Sequence, residues 1–428
     1  MALPFLSEYD PPGSSEGSLD PLGLYMLADQ LAVELVPAVR ERMQRIRFLT
    51  AIAVGSMVTE GVAENPQHGE VPPWQVWEWL VVEAIVRSGV GDQEGVWAVP
   101  GTSVTRNALS KLNCIDSRSY LKTPRVFGFH GVYKALAVHS GLVDDRFRLR
   151  DLNGQRLVEA WARDRKQRDF GYEHPLCCKW REAVERSLRC RPPHTKTYWT
   201  GTDWEELAEA FLPNSVQNWE RRCLRDCLLN RSEKPLNALA DVWQLLETAP
   251  DTDPGDERNV HFRLEEIAPQ HAELLRTIRC YERFARLLTD AFEAIRHHAS
   301  TSDGGGLDLA LTGRDVLIER TAAEMLPAFV DAETALSAFH KDVMFALRFE
   351  RFSKPLTAAE LALELCRHHE EIQQQKSREG KRPWFDRIGG SRIQMRHSYR
   401  VAAPPEPSDG YVHAYRTQPI RRFLGDLS

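Results

Sequence analysis

Leu274, Ile278, Tyr281, Ala285, Leu288, Phe292 and Ile295 recur at alternating spacings of four and three. No other feature limits the fold as strongly. An apolar stripe of that period is buried only when its helix packs lengthwise against another. Leu336, Phe339, Val343 and Ala346 supply the natural antiparallel partner, with Pro327 kinking or ending the helix before it. A third helix is expected over 356–379, with Thr357 as its cap and Leu361, Leu365, His368 and Ile372 on one side. The segment 260–380 therefore reads as a long-helix bundle.

Helical periodicity also dominates upstream. Asp20 and Pro21 open an amphipathic helix over 21–35, and a second runs from Val39 to Met57. Arg45 and Arg47 in its basic first half suit either a phosphate contact or salt bridges to acidic neighbours. Pro72-Pro73 starts a Trp-rich helix over 74–87, whose aromatic stripe reads as core rather than as a base-stacking platform. Short helices follow at 102–112, 203–211, 215–230 and 235–246. Residues 249–260, rich in Asp and Pro, read as a linker.

The stretch Val126–Trp161 changes pattern. Val132, Leu136 and Ala137 share a helical face, and Gly141 stops that helix. Arg146 to Leu149 alternate as a half-buried strand would, and Asn153-Gly154 is a short-loop signal before Leu157, Val158 and Trp161 open the next helix. Helix, small hairpin, helix is the layout of a winged-helix-like unit. The fold class expected is mainly α: multi-helical, with this unit, the bundle and a small C-terminal β-hairpin region. The divisions expected are a flexible arm over 1–19, a helical domain over 20–165, a helical middle region over 166–250, the bundle over 260–380 and a basic hairpin region over 381–428.

The net charge of −6 over 428 residues hides a segregation. Residues 1–100 carry 14 acidic and 5 basic side chains, whereas residues 117–150 carry 7 basic and 2 acidic, and residues 376–400 carry 8 basic and 2 acidic. Basic residues grouped in this way mark a phosphate-contacting surface or a solvated face. The residues expected to touch nucleic acid are Arg118, Lys122, Arg125, Lys134, Arg146 and Arg148 from the first segment. Lys381, Arg382, Trp384, Arg392 and Arg396 are expected from the second, where Gly389-Gly390 forms a hairpin turn, 392–396 a strand, and Tyr411–Tyr415 its partner strand.

One spacing suits a metal. His174, Cys177, Cys190 and His194 read H-x2-C-x12-C-x3-H, two close pairs of N/S donors that a structural zinc would accept. A continuous helix over 179–189 would hold those pairs about 16 Å apart at the usual rise per residue. No nucleophile elbow, zincin motif, phosphate loop or dinucleotide fingerprint occurs in the sequence. No apolar run approaches the roughly 20 residues that span a bilayer, and the start has no signal-peptide pattern, so a cytoplasmic location without membrane contact is expected.

Residues 22–55 (LGLYMLADQLAVELVPAVRERMQRIRFLTAIAVG), the stretch FGFHGVYKALAVHSGLVDDRFRLRDLNGQRLVEAW, and the tail from GKRPWF to YVHAYRTQPIRRFLGDL resemble an uncharacterised family of bacterial proteins found in multi-gene anti-phage defence clusters. Members accompany helicases, nucleases or methylases. The resemblance carries no catalytic residues onto this chain. It implies an accessory subunit of such a system rather than its motor. The expected function is a non-catalytic DNA-binding or adaptor subunit. Its alternatives are a protein–protein scaffold without DNA affinity, and a cryptic metal-dependent enzyme.

Overall fold

The computed structural model describes residues 20–62, 71–89, 99–150, 152–196, 199–229, 238–302, 305–376 and 380–428. The arm expected over 1–19 lies outside them, as do residues 230, 235–237 and 377–379 at the ends of expected helices. The described chain is mainly helical, with one three-stranded antiparallel sheet near its C-terminus. Among the described residues no helix is long and apolar enough to cross a membrane. The chain forms two compact units, each assembled from separated segments: 20–34 with Gly255–Tyr415, and Leu35–Pro254 with Arg416–Ser428.

The first unit is built on the helix Ala272–Thr301, which buries the whole apolar stripe. Its partner is the helix Val316–Ser337. The Thr277 hydroxyl donates to the carbonyl of Ala335 and that of Thr321 to Leu287, so the two run antiparallel. This corrects the expected partner, for Pro327 does not end the helix, which continues to Ser337. Pro327 and Ala323 are both exposed, so the carbonyl that the ring deprives of a donor sits on the solvent side. Leu336 lies buried in the last turn of this helix, whereas Val343 lies exposed on a separate short helix, Asp342–Phe349. A cluster of phenylalanine rings fills the space between: Phe284 lies 4.9 Å from Phe345 and 5.0 Å from Phe349.

The helix Ala358–Gln375 begins at a capping box in which Thr357 and Glu360 satisfy each other's backbone donors. His368 and His369 on its buried face fix the entering chain: His368 Nε2 is 2.8 Å from the Leu22 carbonyl and His369 Nδ1 is 2.9 Å from that of Pro21. The Trp384 backbone N–H donates to His369 Nε2, so that ring is required in its neutral Nδ1–H form. Burial lowers both histidines to about 4.

Phe385–Gly389 and Arg392–Met395 form the hairpin expected around Gly389-Gly390. The other neighbour of Arg392–Met395 is Leu307–Asp308, not Tyr411–Tyr415. The latter segment instead wraps a buried carboxylate. Glu282 accepts the backbone N–H groups of Val412 and His413 and the Tyr415 hydroxyl, and the ring Nδ1 of His413 lies 2.7 Å from it.

The second unit packs its helices around tryptophan. Trp161 stacks on Phe211 with ring planes 3° apart, and Trp77 and Trp180 lie 5.6 Å apart. Trp77 Nε1–H donates to the Ala51 carbonyl, and Trp77, Leu80, Val81, Ala84 and Ile85 are buried, so the stripe of the Pro73–Arg87 helix is core from Trp77 onward, while Trp74 at its start is half-buried. The helix expected over 39–57 covers only Phe48–Val58. Its basic half is a run of turns because side chains there replace helical acceptors: the Tyr133 hydroxyl accepts from the N–H groups of Gln44 and Arg45, and Asp426 from that of Ile46. Both arginines form ion pairs, Arg45 with Asp426 at 2.6 Å and Arg47 with Glu220 at 3.1 Å. The second pair is buried outright, and burial lowers Arg47 and raises Glu220 against their mutual attraction.

Candidate nucleic-acid interface

The Val126–Trp161 stretch folds as a helix Phe129–His139, a tight hairpin and a helix Asn153–Asp164. The hairpin is shorter than its alternation suggests. A single bridge joins Val143 to Leu149, extended by hydrogen bonds from the Asp144 N–H to the Arg148 carbonyl and from the Arg150 N–H to the Leu142 carbonyl. Asp144 organises the turn, its Oδ1 accepting the N–H groups of Arg146 and Arg148. Burial works to raise its carboxyl, but these bonds and the Arg148 guanidinium hold it below the usual range.

Asn153-Gly154 is not a loop. Both residues lie in the first turn of the second helix, where a Cβ on Gly154 would come within 2.3 Å of the Leu142 carbonyl. The pair serves close packing of helix on hairpin, and the Asn153 side chain donates to the Ser140 carbonyl.

Phe147 occupies the left-handed region at φ +59°, uncommon for a bulky residue. The turn throws its ring inward, 5.3 Å from Trp74 and 5.0 Å from His130. Behind these rings the buried carboxylate of Glu78 accepts the His130 N–H at 2.8 Å and the Tyr120 hydroxyl at 2.9 Å, and lies 3.0 Å from His130 Nδ1. Gly128 makes room for it, since a Cβ there would sit 1.9 Å from Glu78 Oε1. Burial and the Glu78 charge raise the Tyr120 phenol well above its ordinary value.

In front of the rings lies a concavity of about 440 Å³, lined by Trp74, Arg125, Lys134, Asp145, Arg146 and Phe147 among others. The short helix Pro124–Phe127 supplies Arg125, the following helix Lys134, and the hairpin Arg146. Lys134 Nζ stands 5.4 Å from the centre of the Phe147 ring. None of these three cations is paired with a carboxylate among the described residues.

The other residues of the first basic segment divide. Arg118 and Lys122 are exposed but do not line the concavity, and Arg148 is engaged by Asp144 at 2.7 Å. The second segment belongs to the other unit, and most of its groups are committed. Trp384 is buried, stacked on Tyr399 at 4.8 Å with the Arg296 guanidinium over it, so it is core rather than a contact surface. Arg396 pairs with Asp386 at 2.7 Å, and Arg387 with Glu370. Lys381 is half-buried, while Arg382 and Arg392 are exposed.

The four metal-spaced residues are not brought together. His174 caps the helix Pro175–Arg189, its Nδ1 accepting the Leu176 N–H, with Cys177 in the first turn and Cys190 beyond the far end. Burial pushes the Cys177 thiol up to about 11, and Cys190 points its thiol at the Arg186 carbonyl. His194 forms a bridge with Asp116. Among the described residues no three His, Cys, Asp or Glu side chains converge as a metal would need.

Trp74, Asp145 and Phe147 also line the concavity, and no basic or metal-like spacing in the sequence marks them. Trp74 begins a stripe that is otherwise core, and nothing in the order of residues signals the left-handed turn at Phe147. Comparison with known protein families, curated proteins and solved structures finds no match to this chain.

Proposed function

We propose that this chain is a non-catalytic, nucleic-acid-contacting subunit, and that the concavity beside the 143–149 hairpin is its contact surface. The observation that carries this reading is the set Arg125, Lys134 and Arg146. Three elements converge these cations on one opening without a carboxylate partner among the described residues. Unpaired cations on a surface repel one another and gain most from a polyanion. The helix–hairpin–helix layout supports a winged-helix-like mode of contact. The resemblance to anti-phage defence clusters, with their helicases and nucleases, supports an accessory role in such a system.

The test is binding of labelled short DNA across a salt series. Three phosphate contacts give a log–log slope of roughly −2.7 on duplex DNA, at about −0.9 per phosphate. Binding that ignores salt, or none at low salt, would contradict the proposal.

A further inference from the structure

The concavity is more than a cationic patch. Its volume of about 440 Å³ falls within the roughly 300–1,000 Å³ of small-molecule sites. Phosphate oxygens alone need neither that depth nor an aromatic wall. Trp74 supplies the wall. It is half-buried, and its ring is fixed by packing 5.1 Å from His130 and 5.3 Å from Phe147, so presenting its remaining surface costs little further side-chain entropy. The Phe147 face is already taken by Lys134. Asp145 adds a carboxylate acceptor at the same opening, unsuited to phosphate but suited to an N–H donor on the Watson–Crick edge of a base.

We infer that this concavity takes one unstacked base of a single-stranded nucleic acid, with the base on Trp74 and the neighbouring phosphates on Arg125, Lys134 and Arg146. The inference rests on the nucleic-acid reading above and adds to it the substrate class. A base inside a duplex offers only its edges, so it reaches an aromatic face only after leaving the stack. Single strands and strand ends are therefore the preferred ligands. Trp74 is a stacking platform that tolerates any base, because every base has a π face.

The experiment compares wild-type binding of a short oligothymidylate with that of an abasic oligomer of equal length and charge. Stacking of one base predicts tighter binding of the oligothymidylate by roughly 5- to 150-fold. Trp74→Leu keeps apolar bulk against Phe147 but has no π face, and it should abolish the gap. Trp74→Phe should keep most of it. Equal binding of the two oligomers by the wild type overturns the base site and leaves the phosphate reading standing. So does a gap that persists in Trp74→Leu. Failure to bind either oligomer overturns both readings.

Discussion

The ammonium of Lys134 stands 5.4 Å from the centre of the Phe147 ring, and Phe147 holds that place from a left-handed backbone at φ +59°. The hairpin accepts a conformation costing roughly 1–2 kcal/mol for an L-residue. Burial of the ring against Trp74 and His130 offsets it.

This balance predicts an inverted order of variants. Phe147→Ala keeps the backbone cost and loses the ring, and should destabilise its unit by about 3–5 kcal/mol. Phe147→Gly also loses the ring but relieves the backbone, and should be the more stable of the two by about 1 kcal/mol. Urea unfolding of both variants checks the order. An alanine variant more stable than the glycine variant would show that the turn is not strained.

The Arg47–Glu220 pair predicts an asymmetry. Both side chains are about 1% exposed. Glu220→Ala strands a buried guanidinium and should cost about 3–5 kcal/mol, whereas replacing both partners with apolar residues of similar volume should cost much less. Denaturation of the single and double variants measures it. Equal costs would mean that the pair is not desolvated.

The buried histidines of the first unit predict acid sensitivity. His368 and His369 are held at about 4, and His261 at about 3, all below the value near 6.5 of an unfolded chain. Below pH 6.5 the unfolded chain takes up protons that the folded chain refuses. Stability is therefore full above pH 6.5 and falls as the pH drops towards 4, by about 1.4 kcal/mol per pH unit for each group in that window. Asp290, which burial raises, adds an opposite slope at the acid end. Unfolding midpoints at pH 7.5 and 5 test the sign, and His368→Gln should flatten the slope by about one proton.

His174 caps the helix Pro175–Arg189 at one end and Cys190 lies beyond the other, too far away to share an ion with it. His174→Ala should cost about 1 kcal/mol through loss of the cap. Cys190→Ser should change stability by no more than about 0.5 kcal/mol. Thermal melts with and without a chelator check this. A chelator-sensitive melt that Cys190→Ser abolishes would establish a zinc site.

The long apolar stripe, the Trp-rich helix and the Gly389-Gly390 hairpin are legible in the sequence because each depends on a local period or turn. What is not legible depends on distant partners. The turns before Phe48 exist because Tyr133 and Asp426 take their N–H groups. Pro327 passes through a helix because it faces solvent. Basic residues could be counted along the chain, but only the fold separates Arg125, Lys134 and Arg146 from Arg148 and Arg396, which have carboxylate partners.

That separation gives the most direct test of the account. DNA binding at low salt should be measured for Arg125→Glu/Arg146→Glu and for Lys381→Glu/Arg392→Glu. The first pair should abolish binding, and the second, with an equal change of charge, should leave most of it. Retention of wild-type affinity in the first pair would contradict the proposed contact surface.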